Sequence, residues 1–389
     1  MTISHKLFAQ MRAATRSLLR RPPAAARTVL RASLEHAATL SASASASAAA
    51  ATIAAGNAAA REAFDAASHG SSKDPFSDML AGLNRIAQPG AAFDPALPDA
   101  LPGRVVEASY TNDAGTRHYK LYVPASHAAQ AAQAAQSAQA APAPLLVMLH
   151  GCTENPDDFA LGTGMNALAE EAGCLVAYPA QSQAANPSRC WNWFNAVDQQ
   201  HGQGEPSIIA GITAEIMARY AVDPRQVYVA GLSAGGAMAA IMGTLYPDLY
   251  AAVGVHSGLP FAAAHDLPSA MAAMKGDFRR PPAPASALPI IVFHGDRDTT
   301  VHPANGDELV ERRRRHPHDA VDVEPGQVPD GHAYTRTLHR RRDGSVHAEH
   351  WVVHGSGHAW SGGDARGSYT DARGPNASAA MLRFFRTAR

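Results

Sequence analysis

A serine hydroxyl becomes a nucleophile only when a base removes its proton and a third group orients that base. Three stretches of this 389-residue chain carry candidates for those roles. The first is Val227-Tyr228-Val229-Ala230-Gly231-Leu232-Ser233-Ala234-Gly235-Gly236. A β-branched, apolar run enters Gly-x-Ser-x-Gly and leaves as Ala-Met-Ala-Ala-Ile-Met, so a buried strand is expected to turn sharply into a helix with Ser233 at the corner. Gly231 and Gly235 leave room where a side chain would collide, and the turn sets the Ala234 N–H at the helix start, beside a reacting carbonyl. The second stretch is Phe293-His294-Gly295-Asp296-Arg297-Asp298, directly after another apolar run. Asp298 is the expected acid; Asp296 is the alternative, its competing role being a turn-forming carboxylate. The third is Trp351-Val352-Val353-His354-Gly355-Ser356-Gly357-His358, which leaves a strand for a Gly-flanked loop. His358 sits in that loop as the expected base, with His354 at the strand end as runner-up. Alone, Gly-x-Ser-x-Gly also fits a turn without chemistry; three motifs agreeing in order and context argue for an enzyme.

These residues need a scaffold that brings them to one place. Continuous apolar runs at Leu145 to Leu149, Leu175 to Tyr178, Val227 to Ala230, Ala252 to Val255, Ile290 to Phe293 and Trp351 to Val353 read as strands covered on both faces. Helical patterns lie between them at Asn166 to Ala172, Ile208 to Tyr220, Ala237 to Leu245, Asp307 to Arg315 and Ser378 to Phe385. The alternation predicts an α/β fold with a mostly parallel sheet and helices on both faces. All three motifs then fall at the carboxyl edge of the sheet, and the order Ser, Asp, His is that of the α/β-hydrolase fold. A hairpin, Val105 to Thr111 and Arg117 to Val123, opens the domain, whose expected span is 104–389.

Residues 1–103 are expected to be an arm and linker. Lys6, Arg12, Arg16, Arg20, Arg21, Arg27 and Arg31 face only Glu35, and Ser41 to Ala60 is almost only Ala and Ser. Residues 1–36 have a loose amphipathic pattern; a solvated tail is favoured over contact with an anionic surface. Arg12 and Arg16 interrupt the apolar segment after Lys6, so no ordinary signal peptide is visible, which points to the cytoplasm. With no apolar run of about eighteen residues, no transmembrane segment is expected. The net charge of −1 gives no argument for nucleic acid. The Ala/Gln tract from Ala128 to Ala141 reads as an insertion, and the arginine runs Arg312 to Arg315 and Arg340 to Arg342 as solvated faces. No zinc-ligand spacing, phosphate loop or dinucleotide motif is present, so neither metal nor cofactor is expected.

The segments Leu149-His150-Gly151-Cys152-Thr153, Asn166-Ala167-Leu168-Ala169, Arg189-Cys190-Trp191-Asn192-Trp193-Phe194, the elbow, His294-Gly295-Asp296-Arg297-Asp298 and Gly357-His358-Ala359-Trp360-Ser361-Gly362-Gly363 resemble the polyhydroxybutyrate depolymerase family of esterases, to which some feruloyl and acetylxylan esterases are similar. The resemblance spans about residues 104–386. It implies a serine esterase with Ser233, Asp298 and His358 as triad and the N–H groups of Cys152 and Ala234 as oxyanion hole. The implied substrates are polyhydroxyalkanoates or short hydroxyalkanoate esters. A feruloyl or acetylxylan esterase is the nearest alternative; a protein that coats polyester granules through its basic arm is one of another class. Trp191, Trp193 and Trp360, with Phe194 and Phe261, are candidates to line a substrate groove, the competing role being core. Cys174 begins an apolar run, where a buried thiol needs no partner. Cys152 and Cys190 each sit in a family motif beside the site, and a disulfide between them is expected. That bridge favours an extracellular or periplasmic location despite the missing signal.

Overall fold

The protein is described by a computed structural model over residues 101–127, 142–278, 288–313 and 320–387. The expected arm, apart from residues 101–103, the Ala/Gln tract at 128–141, and Arg314 and Arg315 lie outside the described residues.

The chain opens with β1 (Arg104–Asn112) and β2 (Gly115–Val123), an antiparallel hairpin that closes between Asn112 and Gly115. Gly115 has φ 123°, which a side chain would resist. There follow β3 (Ala143–Leu149), α1 (Pro156–Thr163), α2 (Met165–Ala172), β4 (Leu175–Pro179), α3 (Gly204–Arg219), β5 (Val222–Leu232), α4 (Ala234–Leu245), β6 (Ala252–His256), α5 (Leu267–Met274) and β7 (Ile290–Gly295). The last elements are α6 (Ala304–Glu311), β8 (Ala320–Gln327), β9 (Ala333–Arg340), β10 (Val346–Val353), the short pair β11 (Trp360–Ser361) and β12 (Thr370–Asp371), and α7 (Ala377–Thr387). Ten strands form one sheet in the order β1-β2-β4-β3-β5-β6-β7-β10-β9-β8. Its centre, from β4 through β3, β5, β6 and β7 to β10, is parallel, and antiparallel strands close both ends. This is the α/β-hydrolase architecture expected from the sequence.

The apolar runs are continuous because both faces of the central strands are covered. Leu145, Val147 and Leu149 of β3 enter one core with Ile208, Ile209, Ile212 and Ile216 of α3 and most of α4. Leu146 and Met148 point to the other face, against Met381, Phe384 and Phe385 of α7. Each such side chain, fully buried, contributes about 1.5–3 kcal/mol, so the two cores clamp the sheet between helices.

Two departures from the expectations have a common cause. The strands β8 and β9 were not expected, since Ala-Val-Asp-Val-Glu-Pro-Gly-Gln is exposed along almost its whole length at the sheet edge and carries no buried pattern to read. Arg312 and Arg313, in turn, are not a solvated face: they are 8% and 5% exposed. Arg312 Nε bonds Glu308 at 2.9 Å and its Nη1 donates to the Phe261 carbonyl at 2.7 Å. Burial, with the Arg312 charge beside it, pulls Arg313 down to about 10. In both cases tertiary neighbours override local composition. Arg340 does behave as a surface residue, paired with Asp322 at 2.7 Å.

Candidate active site

Parallel strands point their carboxyl ends to one edge, and four loops leave that edge close together: after β3 toward Cys152, after β5 at Ser233, after β7 toward Asp298, and after β10 toward His358. Ser233 lies directly between β5 and α4 with φ 57° and ψ −119°, a conformation L-residues resist by about 1–3 kcal/mol. The surroundings hold it there. Its N–H donates to the His256 carbonyl at 2.9 Å and its carbonyl accepts from Ala237 at 2.9 Å. A Cβ on Gly231 would lie 2.4 Å from the Gly235 carbonyl carbon, and one on Gly235 would lie 2.0 Å from the Leu149 oxygen, so both glycines are required by close backbone approach. Ala234 is the first residue of α4, and its N–H stands outside the helix's internal ladder.

Asp298 is 4% exposed. One carboxylate oxygen accepts from the N–H groups of Thr300 and Val301 at 2.9 and 2.8 Å. The other accepts from His358 Nδ1 at 2.7 Å, with His294 Nε2 at 3.5 Å. Burial alone would raise this carboxyl, but the charge of His358 and the hydrogen bonds from His294 and His358 outweigh it and hold Asp298 well below the usual carboxylate range. With Nδ1 committed to Asp298, Nε2 is the ring nitrogen left to His358 for proton transfer. His358 and Ser233 line the same narrow cleft, together with Gly151, Cys152, Glu154, Leu232 and Tyr369; counted out to its open mouth it measures about 250 Å³.

The alternatives, Asp296 and His354, pair with each other instead. His354 Nδ1 lies 3.0 Å from Asp296, which also accepts the Gly355 N–H at 2.7 Å. His354 Nε2 meets the Thr335 hydroxyl at 2.9 Å, so both ring nitrogens are engaged. A third histidine near the site, His256, is buried between Phe293 and Trp360 and accepts the Ser361 N–H at 3.0 Å. Burial, with His294 and His358 nearby, lowers it to about 3, which keeps it neutral and structural.

The opposite wall of the cleft is fastened through Cys152. A disulfide joins Cys152 to Cys190, 38 positions later, with Cα atoms 4.2 Å apart; Cys174 is free and buried. The Cys190 segment is itself held by buried Glu205, which accepts from Asn192 N at 2.7 Å, Gln181 Nε2 at 2.5 Å and Arg117 Nη2 at 3.0 Å. The aromatic residues lie elsewhere than the groove expectation puts them. Trp191 is fully buried beside His150, Trp360 is wedged between Phe159 and His256, and Trp193 is 6% exposed against Phe194. None of the three lines the Ser233 cleft. Their large apolar area is taken up by the two cores instead. Phe194 and Phe261 are half-buried and pack on the first core.

Sequence reasoning missed Glu154, Tyr369 and Glu205. Glu154 had a signal, since it follows Cys152 in the loop after β3, whereas Tyr369 and Glu205 reach the site only through folding. Among the described residues no helix is long and apolar enough to cross a membrane, and no group of three His, Cys, Asp or Glu is placed to hold a metal ion.

The chain is 32% identical over 229 residues to poly(3-hydroxyalkanoate) depolymerase C of Paucimonas lemoignei, covering 56% of this chain and 55% of that protein. It is 33% identical over 121 residues to feruloyl esterase B of Neurospora crassa, covering 30% of this chain and 40% of the relative. The chain thus spans about half the length, or less, of these relatives. The structure of an acetyl xylan esterase from Aspergillus awamori superposes with a TM-score of 0.56 at 19% identity, covering 74% of this chain and 100% of the other, a likeness of fold. Residues 119–321 match the family described as esterase PHB depolymerase, and the chain belongs to that family.

Proposed function

We propose that residues 104–389 form a catalytic domain that hydrolyses carboxylic esters through an acyl-enzyme. Ser233 Oγ attacks the ester carbonyl as His358 Nε2 takes its proton, and the tetrahedral oxyanion is met by the N–H groups of Cys152 and Ala234. Collapse expels the alcohol, which receives the proton back from His358. Water then repeats the sequence on the acyl-enzyme and releases the acid. Asp298 fixes the tautomer of His358 and stabilises its charged form. The observation that carries this reading is the buried His358–Asp298 hydrogen bond of 2.7 Å, in a cleft that His358 shares with a serine held on a strained elbow.

The proposed substrates are polyhydroxyalkanoates or short hydroxyalkanoate esters, a reading supported by the likeness to poly(3-hydroxyalkanoate) depolymerase C. The Cys152–Cys190 bridge supports an oxidising compartment, extracellular or periplasmic. The arm at 1–103 is proposed as a separate appendage; any contact of it with granules or anionic surfaces stands on its charge alone. The test is a panel of p-nitrophenyl esters of increasing acyl length beside polyhydroxybutyrate film, methyl ferulate and acetylated xylan, with Ser233→Ala as control. Turnover confined to the aromatic or xylan esters would move the substrate assignment; turnover surviving in Ser233→Ala would end the serine mechanism.

A further inference from the structure

One carboxyl in the cleft has no part in the chemistry above. Glu154 is 1% exposed and lines the cleft with Ser233, Cys152 and His358. Its Oε2 accepts the Gly151 N–H at 2.7 Å. Among the described residues no Lys or Arg forms an ion pair with it. A Cβ placed on Gly151 would lie 2.7 Å from Glu154 Oε2 and 3.6 Å from the Ser233 Cβ, so the Glu154 carboxyl and the Ser233 side chain flank the same glycine.

The loop from Gly151 to Glu154 carries one of the two proposed oxyanion donors, and a donor lowers the barrier only if its direction is set before the charge develops. Its far side is tied down: Thr153 N donates to the Ser188 carbonyl at 2.7 Å, and its hydroxyl lies 3.0 Å from the Tyr369 hydroxyl. The disulfide anchors the Cys152 side chain. The Glu154 bond holds the peptide plane between His150 and Gly151, and the next plane, which carries the Cys152 N–H, is met at its Gly151 carbonyl by His150 Nδ1 at 2.7 Å. We propose that Glu154 is a positioning residue of the oxyanion hole, holding the Gly151 N–H and through it the direction of the Cys152 N–H. The inference rests on the esterase reading.

The same position determines its protonation. The groups facing Glu154 are Asp158 on α1, Tyr369 in the loop before β12, and His358 across the cleft. Burial first, and Asp158 second, push its carboxyl well above the usual range, against the Gly151 bond, which lowers it. Burial thus favours the neutral acid of Glu154 over its carboxylate. Ionised, it would set a negative charge beside the forming oxyanion, so kcat should fall at alkaline pH as Glu154 loses its proton.

Three full-length proteins test this with p-nitrophenyl acetate. Glu154→Gln keeps an acceptor for Gly151 and cannot ionise; it should slow kcat by less than about threefold and lose the alkaline fall that wild type shows. Glu154→Leu keeps the bulk without the acceptor and should lower kcat by about ten- to a hundredfold with KM nearly unchanged, since the oxyanion exists only in the transition state. The Ki of phenylboronic acid, which forms a tetrahedral adduct on Ser233, should rise with the loss in kcat/KM. If Glu154→Leu does not fold, the pH profiles of wild type and Glu154→Gln still decide. Identical profiles in those two, or a Glu154→Leu protein with wild-type kcat, would overturn the proposal while leaving the esterase reading intact. A wild-type protein without turnover would overturn both.

Discussion

Two His–Asp pairs stand on the same two loops of this protein, and of the two only His358–Asp298 reaches the Ser233 cleft. His358 and Asp298 have side chains 4% and 0% exposed; His354 and Asp296, four and two residues earlier, are 42% and 38% exposed. Their hydrogen bonds are similar, 2.7 against 3.0 Å. The difference lies in what surrounds them. The carboxylate of Asp298 is saturated by two backbone N–H groups and flanked by a second histidine, and His358 opens on the cleft of Ser233. His354 spends its second nitrogen on Thr335. A histidine and a carboxylate within bonding distance are therefore not enough: a base needs one nitrogen fixed, the other available, and little water to screen the charge it gains.

The largest expected effect tests that contrast directly. His358→Ala or Asp298→Asn should lower kcat for p-nitrophenyl butyrate by about a thousand- to ten-thousandfold, whereas His354→Ala and Asp296→Asn should cost less than about threefold. A large loss on the exposed pair would collapse the distinction.

The buried pair needs the facing wall held as firmly as itself. Reduction of the Cys152–Cys190 bridge, which closes a loop of 38 positions, should destabilise the fold by about 3–4 kcal/mol in denaturant titrations with and without dithiothreitol. Labelling of either cysteine in unreduced protein would show that the bridge is absent.

The pH dependence of stability sharpens the contrast further. Asp298 is held below the value of about 3.9 that it has in the unfolded chain. Its contribution is therefore complete above that value and is lost as pH falls toward the folded one. The drop in melting temperature between pH 6 and pH 3 should shrink in Asp298→Asn. Asp296 is lowered too, against some burial, by the Gly355 N–H and His354, yet it is exposed and screened, so Asp296→Asn should change the slope much less. Equal slopes would mean that burial does not separate the pairs.

The smallest effect concerns Thr335. Thr335→Val frees His354 Nε2, and since His354 does not line the Ser233 cleft the change should leave kcat within about twofold. A new or raised esterase rate would mean that its second hydrogen bond is what silences His354.

Much of this arrangement can be read before folding. The buried strands announce themselves as continuous apolar runs because both their faces are covered, and the elbow announces itself because only glycine survives 2.0–2.4 Å backbone approaches. Motifs at the ends of parallel strands must share an edge, so the segments that hold Ser233, Asp298 and His358 are expected as neighbours from their order and strand context. Sequence left Asp296 and His354 open as alternatives, since residues two or four apart in one loop look alike until burial and the Thr335 contact separate them. It also leaned toward a solvated face at Arg312 and Arg313, and left the tryptophans poised between groove and core.

What sequence by itself determined is the backbone plan: local periodicity and glycine spacing depend on neighbours within a few residues, and these are written consecutively. What only the tertiary structure decided is the environment of each polar group. Glu154 beside Gly151, Glu205 beneath the Cys190 segment and Tyr369 against Thr153 owe their roles to contacts spanning 3, 13 and 216 positions, and the longer of these carry no local pattern. The strength of a charge or hydrogen bond depends on the water excluded around it, and that exclusion is made by side chains far apart in the chain.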